Sequence, residues 1–401
     1  MEKRKKVVLA FSGGLDTTYC AIYLSKKLNM DVYTVLGNTG GFTTKELIDI
    51  ENKTKELGVI QHMNLDVTKE YYDKCIKYMI MGNILKNNTY PLSVSSERAF
   101  QAMAIAKYAN ELGADYIAHG STGAGNDQIR FDLFFKIMAP NAEIITPTRD
   151  LKLSREEEVK YLKINGISAD FEKMKYSINA GIWGTSIGGK ETLSSHLGLP
   201  ESAYPSQVEL EETSLLKIGF EKGQIQSVDG QLFEHPIDAI QKIQSIGGKY
   251  GIGRDMHIGD TIIGTKGRVA FEAAAPIMII KAHQTLEKHT LTKWQMYWKE
   301  QLANWYGMLL HEAQYLDPVM RNIESFFEDS QKKVSGEVSL KLFPKYFEVI
   351  GISSPHDLMS DAFGKYGESN GSWTADDVKG FTQILSNPLN IYHTVNKETV
   401  E

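Results

Sequence analysis

The sequence predicts an α/β protein in which a parallel-sheet domain is followed by a second, α+β domain and a C-terminal arm. Short apolar runs alternate with amphipathic helical stretches over residues 1–150, which is typical of a parallel sheet with crossover helices. Turn signals separate short strands after residue 207, and apolar residues are scattered through the tail. We expect the three parts to comprise residues 1–168, 169–365 and 366–401.

The first strand and helix follow from the N-terminal pattern. Residues 7–11 form a continuous apolar run that ends at Gly13-Gly14, as a buried parallel strand does. Apolar side chains then recur every fourth position over residues 20–28, which indicates a helix packed on the sheet. The remaining elements expected here are strands near 32–36, 59–65, 116–118 and 144–145 and helices near 43–57, 96–112 and 154–166.

The second half of the chain predicts antiparallel strands and helices. Turn sequences such as Glu-Lys-Gly and Val-Asp-Gly divide residues 207–233 into short strands. Further elements are helices near 236–247 and 293–327, a hairpin near 334–351, and a tail over 374–397 that suits either a helix or an extended arm. A helical stripe of tryptophans indicates a core face or a subunit interface and comprises Trp294, Trp298 and Trp305.

Composition narrows the class of protein. The chain has 401 residues, of which 42% are hydrophobic and 23% charged, so it can bury a sizeable core and differs from a disordered chain. A net charge of −6 argues against a broad basic face for nucleic acid. Two cysteines exclude a disulfide framework, and the longest apolar stretches are far shorter than the roughly 20 residues that span a bilayer. We therefore expect a cytoplasmic protein without nucleic-acid or membrane partners.

A glycine-containing loop, Phe11–Thr18, separates the first strand from its helix. Its glycines let backbone N–H groups approach an anion, and the helix N-terminus adds partial positive charge. Ser12, Thr17 and Thr18 add hydroxyl donors, and Asp16 is a candidate magnesium ligand or helix cap. The lysine of a Walker A loop is absent. The loop resembles that of the ATP pyrophosphatases, which split ATP between its α- and β-phosphates; the alternative is a plain tight turn.

A second loop, His119–Phe131, follows the fourth predicted strand. The carboxyl edge of an open parallel sheet is where ligands bind, so this loop is expected to lie beside the first. Asn126 and Asp127 suit an amine or amide, and Arg130 suits a carboxylate in bidentate geometry. The alternative is a glycine-rich surface loop with solvated charges.

Together, the two loops resemble the two motifs of the argininosuccinate synthase family, and their separation of about 110 residues is similar. The resemblance covers most of the chain and is weaker after residue 200. It implies a C–N bond-forming ligase of arginine biosynthesis that joins citrulline and aspartate through a citrullyl-adenylate. It also implies ATP as substrate, Mg²⁺ as cofactor, release of AMP and pyrophosphate, and a homotetramer in which the C-terminal arm crosses between subunits.

The resemblance implies three sets of binding residues. ATP is expected at Ala10, Phe11, Ser12, Gly13, Gly14, Leu15, Asp16, Thr17, Thr18, Gly37 and Gly120. Aspartate is expected at Thr122, Asn126 and Asp127. Citrulline is expected at Tyr90, Ser95, Asn126, Arg130, Ser177 and Ser186, although the segment with the two last serines also suits a generic loop. We expect catalysis to depend on Ser12, Asp16 and Asp127.

The expected chemistry is positioning and charge stabilisation. Neither motif contains an obvious nucleophile, so no covalent enzyme intermediate is expected. None of the histidines has the spacing of metal ligands, so no histidine-based metal site is expected.

Three positions depart from the family pattern. Ala124 replaces a lysine of the second loop, Gly259 replaces a citrulline-binding glutamate, and Phe271 replaces a tyrosine. Leaving a buried charge without its partner costs roughly 3–5 kcal/mol, so a citrulline ammonium would bind poorly without a substitute. Either the neighbouring Asp260 supplies the carboxylate, or the ligand's amine is uncharged, as in an N-acylated citrulline.

Two rival functions remain open on the sequence alone. The first is another ATP pyrophosphatase, although a tRNA thiolase would need catalytic cysteines with a basic surface, and a glutamine-dependent synthetase would need an N-terminal cysteine. The second is a nucleotide-binding paralogue that has lost catalysis at Gly259 and Ala124.

Overall fold

The computed structural model describes residues 3–167, 176–359, 364, 367–368 and 371–397. It contains two compact units, Met1–His356 and Asp357–Glu401. The predicted fold class is confirmed, because a parallel sheet with helices precedes antiparallel sheets. The three-part division at residues 168 and 365 stays a prediction. No helix in the described ranges is both long enough and apolar enough to cross a membrane.

The first sheet has five parallel strands in the order β3-β2-β1-β4-β5. The strands are β1 Lys6–Ala10, β2 Asp31–Asn38, β3 Gln61–Asp66, β4 Tyr116–Ala118 and β5 Glu143–Ile145. β1 is the buried central strand, since Val7, Val8 and Leu9 are fully buried. The order of strands reverses between β1 and β4, and the two predicted loops begin at the carboxyl ends of these two strands.

Helices cover both faces of this sheet. They are α1 Leu15–Ile22, α2 Thr44–Lys55, α3 Thr68–Tyr71, α4 Lys77–Met81, α5 Ser93–Leu112, α6 Asp127–Met138, α7 Pro147–Asp150 and α8 Arg155–Ile164. Capping boxes begin two of these helices: Thr43 pairs with Glu46 before α2, and Ser154 pairs with Glu157 before α8.

Two antiparallel sheets follow, in the orders β10-β9-β8-β13-β14 and β11-β12-β7-β6. Their strands are β6 Ser177–Gly181, β7 Gly184–Gly188, β8 Ser214–Glu221, β9 Gln224–Val228, β10 Gln231–Leu232, β11 Arg254–Asp260, β12 Lys266–Glu272, β13 Gly336–Phe343 and β14 Tyr346–Ser353. The helices between them are α9 Pro236–Lys249, α10 Ala274–Thr290, α11 Lys293–His311 and α12 Pro318–Ser330.

The prediction of one continuous helix over residues 293–327 is wrong, because two helices, α11 and α12, occupy this range. The chain leaves α11 through Ala313, which has a φ of 62°, and Asp317 caps the new helix α12. Pro318 stands at the first position of α12, where its missing N–H is not needed. The tryptophan stripe on α11 is 58–64% exposed, so it forms no core face within this unit.

Among the described residues of the second unit there is one helix, α13 Ala375–Asn396. Thr374 caps this helix through a capping box with Asp377. The tail is therefore helical and not an extended arm. None of its side chains is buried within the chain, and its large apolar residues are half to three-quarters exposed.

Candidate functional site

The first loop is built as an anion cradle at the start of α1. Gly13 has a φ of +77°, a conformation that favours glycine, and Gly14 caps α1 without a side-chain bond. Ser12 is exposed, and its Oγ lies 3.5 Å from Thr17 Oγ1. Thr18 is different, because its buried hydroxyl donates to the Gly14 carbonyl at 2.7 Å and so turns away from the loop opening.

The two loops predicted from the sequence meet at Gly120. A Cβ atom on Gly120 would lie 3.0 Å from the Thr17 nitrogen and 3.1 Å from the Asp16 carbonyl carbon. Both neighbours are backbone atoms, which cannot rotate aside. The second loop can therefore approach the N-terminus of α1 only because residue 120 is glycine.

His119 fixes the start of the second loop. Its buried ring accepts a hydrogen bond at Nδ1 from the Ser121 N–H and donates from Nε2 to Asp132 at 3.0 Å. Arg149 also pairs with Asp132, at 2.7 Å. His119 thus has a positioning role in this structure.

The carboxyl group of Asp16 in the first loop interacts with that of Glu158 on α8. Glu158 of α8 is almost fully buried, and its Oε1 accepts a hydrogen bond from Thr148 at 2.9 Å. Burial and the nearby Asp16 raise the pKa of the Glu158 carboxyl to about 8. Glu158 therefore carries a proton at neutral pH.

Asp127 lies between two arginines at the start of α6. Its Oδ2 accepts from Arg98 Nε at 2.9 Å, and its Oδ1 accepts from Arg130 Nη1 at 2.8 Å. Although desolvation opposes ionisation, the two guanidinium groups hold the pKa of Asp127 below its usual range. Arg98 also donates to Asn179 of β6 at 2.5 Å, which ties the second loop to the neighbouring sheet.

Arg130 is buried and already has several protein partners. Its Nη2 donates to Ser95 Oγ at 2.9 Å and to the His311 carbonyl at 3.0 Å, and its Nε donates to the same carbonyl at 3.3 Å. Because Nη1 is engaged by Asp127, at most one of its five N–H groups remains for a ligand.

A buried hydroxyl cluster joins α5 to β7. Tyr90 Oη lies 2.8 Å from Ser186 Oγ and 3.1 Å from Ser93 Oγ, and the two serines are 3.2 Å apart. The cluster is positioned by Leu92, a fully buried residue in the left-handed region with a φ of 60°. Such a conformation costs about 1–3 kcal/mol and is often found at functional sites.

Comparison with known proteins decides the family. Residues 6–168 match the model of the arginosuccinate synthase N-terminal HUP domain, and residues 176–392 match that of the arginosuccinate synthase C-terminal domain. The chain belongs to the argininosuccinate synthase family.

Individual relatives agree along nearly the whole length. Argininosuccinate synthase of Methanocaldococcus jannaschii is 36% identical over 364 residues, which are 90% of this chain and 91% of that protein. The enzyme of Dictyoglomus turgidum is 36% identical over 385 residues, 96% of each chain. That of Xanthomonas campestris is 33% identical over 405 residues, 98% of this chain and 99% of the relative. Membership in this family makes the chain a ligase.

Two of the three positions that depart from the family pattern, Gly259 and Phe271, lie near the hydroxyl cluster. Phe271 is buried, and its ring centroid is 5.5 Å from that of Tyr90. Gly259 is buried on β11, whereas Asp260 points to solvent and pairs with Lys266 at 2.5 Å. Asp260 therefore does not replace the family's glutamate in this structure. Ala124 is exposed on the second loop.

The remaining predicted site residues differ in solvent exposure and in their contacts. Asn126 Oδ1 accepts from the Ile262 N–H at 2.9 Å, so the turn after β11 is tied to the second loop. Thr122 is exposed, and Gly37 packs against Gln101 of α5. Ser177 is exposed and pairs with Gly188 in the β6–β7 register, two positions from the pairing of Ser186.

Glu97 is a buried acid that the sequence reasoning missed. Its Oε2 accepts from Thr39 at 3.0 Å, and its Oε1 accepts from Arg98 at 3.1 Å. Burial raises the pKa of the Glu97 carboxyl to about 7. No sequence motif marks it, because its burial against Thr39 depends on a segment 58 positions away in the chain.

Glu97→Gln should reduce the pH dependence of stability. The folded state has the higher pKa, so the stabilisation is complete below about pH 4.5 and is lost as pH rises through 7. The loss amounts to roughly 3 kcal/mol at most. We expect the melting temperature of the wild type to fall relative to that of the variant between pH 5 and 8. A difference that stays constant over this range would contradict the prediction.

Proposed function

We propose that the chain catalyses ATP-dependent ligation of citrulline and aspartate to argininosuccinate, with release of AMP and pyrophosphate. The main support for this proposal is the contact of the two loops at Gly120. This contact puts the start of α1 beside the second loop, which contains Asp127. An anion cradle and an amino-acid site are thereby adjacent. The alternatives raised by the sequence, an acylated substrate and a non-catalytic paralogue, are not favoured by the family match.

ATP would lie over the first loop. The backbone N–H groups at the start of α1 and the Ser12 hydroxyl would face its phosphates, with Ala10–Thr18, Gly37 and Gly120 forming the binding surface. Lys53 of α2 donates to the Gly13 carbonyl at 2.6 Å, which braces the loop from outside.

Asp16 is the residue we propose for holding Mg²⁺. It is half-buried in the first turn of α1, beside the Glu158 carboxyl, whose pKa is raised to about 8 by burial and by Asp16. Carboxylate oxygen is the ligand type that this ion prefers, so the donor chemistry fits. When bound, Mg²⁺ would offset negative charge on the phosphates.

The two amino-acid substrates would lie on the side of the second loop. We propose that citrulline contacts Tyr90, Ser95, Asn126, Arg130, Ser177 and Ser186. We propose that aspartate contacts Thr122, Asn126 and Asp127. Because Asp127 already pairs with two arginines, its carboxylate is held rigidly for contact with the amine of aspartate.

The reaction then needs two displacements. The ureido oxygen of citrulline attacks the α-phosphorus, the bond to the pyrophosphate oxygen breaks, and a citrullyl-adenylate forms. The amine of aspartate attacks the ureido carbon, the C–O bond to AMP breaks, and the amine loses a proton. The loop N–H groups and Ser12 would stabilise charge that develops on the phosphates.

A pyrophosphate assay tests this function. We expect release only when ATP, citrulline and aspartate are all present, with AMP as the second nucleotide product. Omission of each substrate in turn is the control. Formation of ADP, or release that does not require aspartate, would contradict the proposal.

We also propose a homotetramer in the cytoplasm. The exposed apolar side chains of α13, among them Phe381, Ile384 and Leu385 at 63–75% exposure, need a partner surface. The free, buried thiols Cys20 and Cys75 suit a reducing compartment. Light scattering of the full chain measures the assembly directly.

A further inference from the structure

Three basic side chains that have no role in the scheme above interact electrostatically with one another, and one of them contacts the hydroxyl cluster. Lys86, which precedes the Tyr90 segment, is half-buried and forms no ion pair within the described residues. His257 of β11 is 7% exposed and stacks on Tyr90 at a centroid distance of 5.4 Å. His311, at the end of α11, is 8% exposed, and its Nδ1 has no hydrogen-bond partner among the described residues. We call these three residues the basic subsite.

The electrostatic environment of the basic subsite is positive. Burial and then the cations Arg130 and Lys86 lower the pKa of His311 to about 3. Burial and Lys86 also lower the pKa of His257, against a weaker opposing effect of the exposed Asp255. Both imidazoles are therefore neutral at pH 7 and offer N–H donors, while Lys86 supplies the charge.

The acids of this region are directed elsewhere. Asp127 is taken up by Arg98 and Arg130, and Asp260 is exposed and paired with Lys266. Asp255 is likewise exposed, so a cationic group of a ligand would find no buried carboxylate among these residues, whereas an anionic group would find one lysine and two ring nitrogens.

Gly259 keeps the basic subsite open. A Cβ atom there would lie 2.7 Å from His257 Nε2 and 3.5 Å from Asn87 Nδ2. Any larger side chain would therefore have to displace the imidazole ring or cover its nitrogen. The glycine that removes the family's acid also leaves a ring nitrogen accessible.

Arg130 already uses most of its N–H groups for hydrogen bonds within the protein, so a substrate carboxylate needs other donors. Arg130 has at most one free N–H, so it cannot offer the bidentate pair that a carboxylate prefers. A substrate that is anchored by the Tyr90–Ser93–Ser186 cluster must place its carboxylate against other donors. His257 is one such donor, because it stacks directly on Tyr90.

We propose that Lys86, His257 and His311 form a carboxylate-binding subsite for the end of the ureido substrate remote from the reacting group. This inference rests on the proposed function. Two sources supply the same chemistry: the α-carboxylate of citrulline, or the terminal carboxylate of a dicarboxylic acyl group on its α-nitrogen.

Isothermal titration calorimetry on the full chain separates the two sources. The ligands are citrulline, citrullinamide, N-acetylcitrulline and N-succinylcitrulline. If the α-carboxylate is bound, citrulline should bind about tenfold more tightly than citrullinamide. If the acyl carboxylate is bound, N-succinylcitrulline should exceed N-acetylcitrulline by the same factor.

Variants connect this preference to the basic subsite. Lys86→Met should abolish the carboxylate preference, and His257→Phe, which keeps the ring on Tyr90 but removes its N–H, should weaken it. Lys69→Met, at an exposed lysine on α3, is the matched control and should change nothing. The proposal is overturned if no carboxylate preference exists or if Lys86→Met leaves all four dissociation constants unchanged.

The proposed subsite and the proposed ligase activity can be refuted by different results. A chain that shows the Lys86-dependent preference but releases no pyrophosphate would refute the ligase and support the subsite. A chain that releases pyrophosphate with the same KM for the ureido substrate in the wild type and in Lys86→Met would refute the subsite alone.

Discussion

Asp127→Asn should lower kcat/KM for pyrophosphate release by about 100- to 1000-fold. The substitution leaves Arg98 and Arg130 side by side without their shared carboxylate, and loss of one partner of such a buried network costs about 3–5 kcal/mol. The amide also removes the negative charge proposed to contact the amine of aspartate. Steady-state kinetics with aspartate as the varied substrate measure the effect.

A second aspartate provides the control for this prediction. Asp115 also pairs with a basic side chain, Lys5, but does so at the amino end of the parallel sheet. Asp115→Asn should keep kcat/KM within about threefold, since exposed ion pairs contribute roughly 0–1 kcal/mol. If Asp127→Asn retained activity at the level of Asp115→Asn, the proposed aspartate site would be wrong.

Gly120→Ala should reduce kcat/KM for ATP by about 10- to 100-fold. The new methyl group would meet the backbone of Thr17 and Asp16 at 3.0–3.1 Å, which forces the two loops apart by a few tenths of an ångström. Reactions that depend on placing two substrates in line are sensitive to displacements on this scale. Kinetics with varied ATP, together with direct nucleotide binding, measure the change.

Gly198→Ala is the matched substitution for this test. Within the part of the chain that the structure describes, no heavy atom outside residues 197–199 lies within 4 Å of the position where its Cβ would be built, and its backbone is not in the left-handed region. It should leave both ATP binding and turnover unchanged. Equal kinetics for Gly120→Ala and the wild type would show that close contact of the loops is not required.

The meeting of the two loops could be predicted from the sequence because it depends on local signals. Glycines after a buried strand indicate a turn with accessible N–H groups, and parallel strands bring their carboxyl ends to one edge of the sheet. Gly120 and Thr17 are consequently adjacent although about 100 positions separate them. The capping boxes before α2 and α8 are equally local and were equally predictable.

The partners of the charged residues could not be predicted in this way. Asn179 reaches Arg98 across 81 positions, and the His311 carbonyl reaches Arg130 across 181. Such pairs depend on how sheets and helices pack together, which the pattern of one segment does not record. The residue type of Arg130 therefore predicts a carboxylate partner, whereas the packing of the fold gives most of its N–H groups to protein acceptors.

The buried, left-handed Leu92 has a consequence for how the proposed site would receive the ureido substrate. The backbone strain at this residue is sustained by packing of a fully buried side chain, so the hydroxyl groups of Ser93 and Ser186 are held in place before any ligand arrives. The conformational entropy of these groups is lost when the chain folds and not when the substrate binds. The cost of ordering these groups thus lowers the free energy of unfolding of the protein and would not lower the affinity for the substrate.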